Sequence, residues 1–467
     1  MTEAQGNDWP PDRVLILGAG PAGLTAAYEL GRANVACIIL EREAEVGGLA
    51  KTIEHRGFRF DLGGHRFFTD DEWVQALWKD LLGDAFLLRP RLSRILYRNR
   101  FFQYPLRPLD AFIGLGILPS VQVLLSYVRA RLWPATPERT FKDWTSNRFG
   151  QKLYRAFFKS YTEKVLGIAC TEVSADWAAQ RIDGLSLFAA LRNAFAYSKP
   201  GRTARTLIDA FYYPRLGSGM LWRALADRIT GAGGEIRCDR SVDRVQWSDD
   251  RITAIEARTA DGRAERVCGT HFLSSIALRD LIRCLEPAPP HNVREAAENL
   301  RYRDFILVAL ILDKAEVFAD NWIYIHDGAV RVGRIQNFKN WSADMVPDRA
   351  RTCLGLEYFC TESDNLWQAS DTDLIALSTA ELERLGLCLR GEVVDGKVER
   401  VPKAYPLYDV DYRSHVDTVL RFLSGFSNLH LIGRNGMHRY VNQDHAMISA
   451  RHAVARVLKG SGGPAAR

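Results

Sequence analysis

The stretch Val14-Leu15-Ile16-Leu17-Gly18-Ala19-Gly20-Pro21-Ala22-Gly23-Leu24-Thr25-Ala26-Ala27 decides how the rest of the chain is read. Four consecutive apolar residues suit a strand buried on both faces of a parallel sheet. Glycines at 18, 20 and 23 follow, and an Ala/Leu-rich helical run begins with Ala22 in its first turn. Gly18 permits the tight turn, Gly20 lets backbone approach a pyrophosphate, and Gly23 lets helix pack on strand. The helix start offers unpaired N–H groups and a positive dipole end to phosphates. A second apolar run over 36–40 ends in Glu41, about twenty residues after Gly18, where an acid accepts hydrogen bonds from a ribose. Beyond it, Gly47 and Gly48 let a second backbone segment approach the same pyrophosphate. This context predicts a dinucleotide site in a doubly wound α/β sheet. The bland alternative is a structural tight turn.

The chain has 467 residues, enough for more than one core. Its 47% hydrophobic and 25% charged content is ordinary for globular proteins. The net charge of +6 is spread along the sequence, and no long basic block or binding motif points to nucleic acid. Eight cysteines form no C-x-x-C pair or metal-like cluster with histidine, so reduced thiols in a cytoplasmic protein are expected and no metal site. The first ten residues are polar and read as no signal peptide.

The segment 111–133 raises the question of a membrane. No charge occurs from Ala111 to Val128, but Gly114, Gly116 and Pro119 interrupt the run. A loop followed by an amphipathic helix from Pro119 is expected, with Val121, Leu124, Leu125, Val128 and Leu132 packing into a core or cleft. Contact with a membrane surface is the minority reading, and a true span is not expected.

In order, 1–70 begins the nucleotide-binding domain and 71–211 forms a mainly helical, aromatic-rich cap with extended pieces at 93–97 and 101–106. Residues 212–285 return to the nucleotide domain, 286–428 form an antiparallel-sheet substrate domain, and 429–467 return again. A hairpin turns near Gly57 and delivers Gly63-Gly64-His65, a loop that brings backbone and one titratable ring against something flat; its bland reading is a capped turn. Val242 stands apolar among charged neighbours and is placed at the cofactor site. A hairpin turns at Asp249-Asp250, and 267–275 is one strand re-entering the first sheet. Later strands fall at 305–312, 322–325, 331–336 and 354–359, and an Asp-capped helix at 371–387. A helix follows Tyr405-Pro406 and runs to about 424. The end repeats a strand–glycine–helix unit, 429–432 feeding Gly433-Arg434-Asn435-Gly436, and such units meet where ligands sit.

Together these segments resemble the FAD-dependent amine oxidase and protoporphyrinogen oxidase superfamily, and within it the UDP-galactopyranose mutases. Gly18–Gly23 with Glu41 is similar to that family's FAD pyrophosphate and ribose site, Gly47-Gly48 to its second glycine motif, and Gly63-Gly64-His65 to the mutases' Gly-Pro-His loop. Tyr161-Thr162-Glu163-Lys164 resembles their Tyr-Thr-x-Lys segment and Arg181-Ile182 their Arg-Ile-Pro segment. Tyr405-Pro406 and the run from Gly433 to Asn442 resemble the late Tyr-Pro and Gly-Arg motifs. The resemblance implies non-covalent FAD, with no cysteine motif for a covalent flavin near the C-terminus. It implies mutase chemistry, in which reduced flavin attacks an anomeric carbon while the sugar ring opens and recloses. Arg181 would then meet substrate phosphate, with Tyr161, Tyr405 and Tyr440 lining the cleft. His65 would orient the flavin, and Arg434 would help secure it. Their bland readings are a surface ion pair and core aromatics.

The chain departs from the mutases at Val165-Leu166-Gly167, where they carry Gln-Trp-Gly with an indole for uracil, and at Asn442-Gln443 and His438. Three classes of function therefore stand: a mutase-like or redox enzyme on a nucleotide- or lipid-linked sugar; a desaturase- or oxidase-like enzyme on a hydrophobic substrate; and a non-catalytic flavin-binding protein. Arginines facing the cleft would favour the first, a dry apolar tunnel the second. The reductant or electron acceptor is left open.

Overall fold

Val14–Leu17 is buried at every position because both faces of its sheet are covered. Val14 and Ile16 pack with Ala26 and Leu30 of the helix Pro21–Arg32, while Leu15 and Leu17 pack with Val245, Ile255 and Phe272 on the other side. In this computed structural model, which describes residues 13–97, 100–104, 117–182 and 209–460, the first sheet is five-stranded and parallel. Its order is Leu429–Leu431, His271–Ser274, Val14–Leu17, Cys37–Leu40 and Glu235–Arg237. The helices Pro21–Arg32, Gly219–Gly231 and Gln443–Gly460 pack together beside it. The expected strand over 267–275 is in fact two. Ala264–Cys268 completes a meander with Arg240–Ser248 and Arg251–Thr259, and only His271–Ser274 joins the parallel sheet. Gly269 separates them; a Cβ there would lie 2.5 Å from Leu15 Cδ1.

The second sheet has seven strands in the order Val393–Pro406, Tyr302–Leu312, Thr352–Cys360, Arg334–Asn337, Trp322–Ile325, Ser93–Tyr97 and Arg100–Gln103. Tyr302–Leu312 is buried throughout: Phe305, Leu307 and Ala309 face one core, and Ile306, Val308 and Leu310 the other. Two features differ from the expectation. The extended pieces within 71–211 join this sheet: Ser93–Tyr97 pairs in parallel with Trp322–Ile325, and Arg100–Gln103 pairs with Ser93–Tyr97 as the edge strand, so the sheet is not wholly antiparallel as expected. The strand Val393–Pro406 was not anticipated, because Lys397, Glu399, Arg400 and Lys403 break its apolar pattern while its backbone pairs with Tyr302–Leu312. The helix Asp371–Arg384 is capped by Ser370, whose side chain accepts from the Asp373 N–H, and not by an aspartate.

The helix Ile117–Leu132 forms, but its apolar side does not pack into a core or cleft. Leu118, Val121, Leu124, Leu125, Val128 and Leu132 are all exposed. Its protein-facing side carries Ser120 and the backbone at Tyr127, which abuts Gly150: a Cβ on that glycine would lie 2.7 Å from the Tyr127 nitrogen. Close approach through small groups seats the helix and leaves the apolar stripe outward. Residues 105–116, including the loop expected there, lie outside the described residues. No helix among the described residues is long and apolar enough to cross a membrane.

Candidate active site

At the carboxyl ends of the parallel strands the glycine turns meet. Gly18 has φ +104°, open to glycine and strained for other residues, and a Cβ there would lie 2.3 Å from Ser275 Oγ. A Cβ on Gly23 would lie 1.8 Å from the Gly18 carbonyl oxygen, so the helix Pro21–Arg32 can close on the strand only with glycine there. The Gly47 N–H donates to Ala19 O at 2.9 Å, and a Cβ on Gly48 would lie 3.2 Å from Gly20 Cα. Glu41 is buried and ties the turn together, accepting from the Ala19 N–H at 2.6 Å and the Glu43 N–H at 3.0 Å. Gly433, φ +70°, closes the cradle from the far end of the chain; a Cβ there would lie 3.0 Å from Ala22 Cβ. Backbone walls any Cβ would fill, beside a helix N-terminus, fit a dinucleotide pyrophosphate. Val242 lines the same cleft, whose volume is about 2410 Å³.

The cleft continues under the second sheet. The loop Gly63-Gly64-His65 lies over a buried polar cluster: Arg334 donates to Glu357 through Nε at 2.9 Å and Nη2 at 2.5 Å, and Gln336 Nε2 donates at 2.8 Å. A Cβ on Gly64 would lie 3.0 Å from Gln336 Nε2 and 3.3 Å from the Trp341 ring. Glu357 is wholly buried. Burial opposes the Arg334 charge, but the Glu357 carboxylate outweighs it and holds the guanidinium protonated. His65 Nε2 lies 3.2 Å from Leu62 O, which can only accept, so Nε2 carries the proton and Nδ1 is the acceptor. Burial, then the charges of Arg434 and Arg334, push this imidazole down to about 4, so it is neutral at pH 7.

Tyr405 and Tyr440 stack with ring centroids 5.8 Å apart, and the Arg434 guanidinium lies 4.8 Å from the Tyr440 centroid and 5.5 Å from that of Tyr405. Arg434 donates to the carbonyls of Val441 and Ala404 at 2.8–3.0 Å; no carboxylate among the described residues pairs with it. Tyr161 lies flat on His326 at 4.7 Å and edge-on to Tyr324 at 5.5 Å. Lys164 turns away from the cleft to donate to the carbonyls of Ile325, Asp327 and Val332. His65, Tyr161, Tyr405, Tyr440 and Arg434 thus line one cleft. Arg181 stands on the helix Ala175–Ile182, beside Gln180 of the cleft wall, and its side chain lies outside the described residues. Val165 and Leu166, at the position of the mutases' indole, are core residues.

Sequence reasoning missed a group on the same wall. Arg66 lines the cleft next to His65, its guanidinium 5.4 Å from the Trp322 ring centroid, and its Nη1 is buried with no hydrogen-bond partner among the described residues. Tyr104 and Tyr324, 4.6 Å apart, complete this wall. Arg334, Gln336 and Glu357 were missed too. Their signal was faint: polar residues at alternate positions of otherwise apolar strands.

A doubly wound nucleotide domain joined by one long cleft to a mostly antiparallel sheet defines a class: enzymes that hold an extended dinucleotide with its reactive end beneath a second sheet. The chain belongs to the flavin-containing amine oxidoreductase family, whose pattern matches residues 21–458. It is an FAD-dependent flavoenzyme of that oxidoreductase superfamily. It is 28% identical to a phytoene dehydrogenase of Streptomyces griseus over 53% of this chain and 51% of that one, so the match spans about half the length of this relative. The fold matches the crystal structure of reduced UDP-galactopyranose mutase with a TM-score of 0.82, at 21% identity, over 96% of both chains. It also matches a putative protoporphyrinogen oxidase from Exiguobacterium sp., TM-score 0.71 at 17% identity, over 97% of this chain and 99% of that one.

Proposed function

We propose that the enzyme holds FAD non-covalently and rearranges a phosphate-bearing sugar, nucleotide- or lipid-linked, by redox-neutral chemistry like that of UDP-galactopyranose mutase. The observation that carries this reading is Arg66: a guanidinium on the cleft wall whose buried Nη1 has no partner among the described residues. A desolvated donor of this kind is stabilised by an anion, and the planar fork of arginine suits phosphate. The wall around it carries Tyr104, Tyr161 and Tyr324 rather than the aliphatic lining of a hydrocarbon tunnel.

The bound flavin supplies the electron-pair chemistry that no side chain of the cleft provides. The protein's part is orientation and charge. His65 is neutral, and its Nε2 is held by Leu62 O on the cleft wall. Arg434, bonded to carbonyls and to no carboxylate among the described residues, is a cation at the cleft wall that favours anionic ligands. Arg66 takes the phosphate, and Tyr161 flanks it across the aromatic wall.

The test is a panel of UDP-, dTDP- and polyprenyl-linked sugars offered to oxidised and to dithionite-reduced enzyme. Turnover in the reduced form alone, without net oxidation, is expected. Arg66→Gln should raise KM about tenfold or more, the size of one lost charged hydrogen bond. Stoichiometric flavin reduction by a non-phosphorylated hydrophobic substrate, with Arg66→Gln unimpaired, would refute the reading in favour of a dehydrogenase.

A further inference from the structure

The helix Ile117–Leu132 is built the wrong way round for a helix whose surroundings are water. Leu118, Val121, Leu125, Val128 and Leu132 recur at alternating three- and four-residue steps, which places them on one face. That face points outward: Leu118 is 71% exposed, Leu125 64%, and Trp133, just past the helix, 74%. Seven of the twelve exposed large apolar side chains of the described residues lie on this helix or on Trp133. A contiguous apolar patch of this kind marks a surface that meets something other than water.

Its charges say what. The helix contains no acid, and its last turn carries Arg129 and Arg131, both exposed. Lys152 lies against the same helix, its Nζ 3.2 Å from Gln122 Oε1. No salt bridge among the described residues engages these three cations. An apolar stripe edged by unpaired cations and closed by a tryptophan matches an anionic bilayer surface. There the stripe sits among acyl chains, the indole lies at the headgroup level, and the arginines reach phosphate. A second copy of this helix would bring no acid to pair with these cations.

We infer that the helix Ile117–Leu132 with Trp133 docks the enzyme on the surface of an anionic phospholipid membrane, lying in the interface without crossing it. This proposal is independent of the substrate reading, because it rests on a surface outside the cleft.

Flotation of the FAD-loaded full chain with vesicles of phosphatidylcholine plus phosphatidylglycerol, and with phosphatidylcholine alone, tests it. Binding to the mixed vesicles, much reduced on the neutral ones and by high salt, is expected. Leu125→Glu and Trp133→Gln should each lower the bound fraction severalfold while flavin absorbance and melting temperature stay at wild-type values. Arg129→Gln with Arg131→Gln should remove the preference for anionic vesicles. Failure of the wild type to float with either vesicle would overturn the proposal. So would flotation unaffected by Leu125→Glu. A vesicle-free dimer that Leu125→Glu dissociates would assign the face to a second copy. A lower melting temperature in that variant would assign it to packing within the chain.

Discussion

Replacing Glu357 with glutamine alters the cluster beneath the Gly63-Gly64-His65 loop by one charge and almost no volume. In the wild type the carboxylate accepts three hydrogen bonds, two from Arg334 and one from Gln336. In the variant one acceptor becomes an NH2 facing donors, and the Arg334 cation loses the one carboxylate that pairs with it among the described residues. Removing one partner of a buried pair costs about 3–5 kcal/mol. The Arg334 side chain is 18% exposed toward the cleft while Glu357 is fully buried, so the lower end applies, about 3 kcal/mol. Arg334→Met strands the carboxylate and should be at least as damaging. Because each single change leaves an uncompensated buried charge, the double variant Arg334→Met with Glu357→Met should be more stable than the sum of the singles by about 2 kcal/mol or more. Urea unfolding of the flavin-free forms measures this without the contribution of bound cofactor. Glu357→Gln within about 1 kcal/mol of wild type, or strict additivity in the cycle, would mean that cleft water screens the pair and that the desolvation reasoning fails.

Gly18→Ala places a Cβ 2.3 Å from Ser275 Oγ at φ +104°, and the purified variant should be colourless, with FAD lost on gel filtration. Asp61 accepts from Thr52 Oγ1 at 2.5 Å, Tyr213 OH at 2.7 Å and the Ser218 N–H at 3.1 Å. Asp61→Asn turns one of its acceptors into a donor and should lower stability by about 2 kcal/mol in urea. His326 is held down to about 3, by burial first and then by Lys164. Its folded pKa lies below the unfolded value of 6.5, so its contribution is complete above that pH and is lost as pH falls toward 3. His326→Phe should therefore flatten the fall of stability across this window by up to about one proton, read from unfolding midpoints at several pH values.

The nucleotide half was legible because its signals are local. The turn at Gly18–Gly23, the acid at Glu41 and the closing Gly433 turn each need only a few neighbouring residues to state their geometry. The register of the two-residue turn at Asp249-Asp250 was legible for the same reason. The strand Val393–Pro406 was not, since its partner strand, rather than its own composition, satisfies its backbone. The site beneath the second sheet was half-legible: His65, Tyr161, Tyr405, Tyr440 and Arg434 were named, while Arg66 beside His65 was passed over.

By itself, then, the chain's order of residues determined a doubly wound nucleotide fold, its glycine-walled cradle and an apolar stripe between 121 and 132. Only the tertiary structure decided that Glu357 would meet Arg334, that Trp322 would lie beneath Arg66, and that the stripe would face outward. Periodicity states that a helix has an apolar side, but not which neighbour takes it. Pairing of charges across strands depends on register, which long-range backbone hydrogen bonds set.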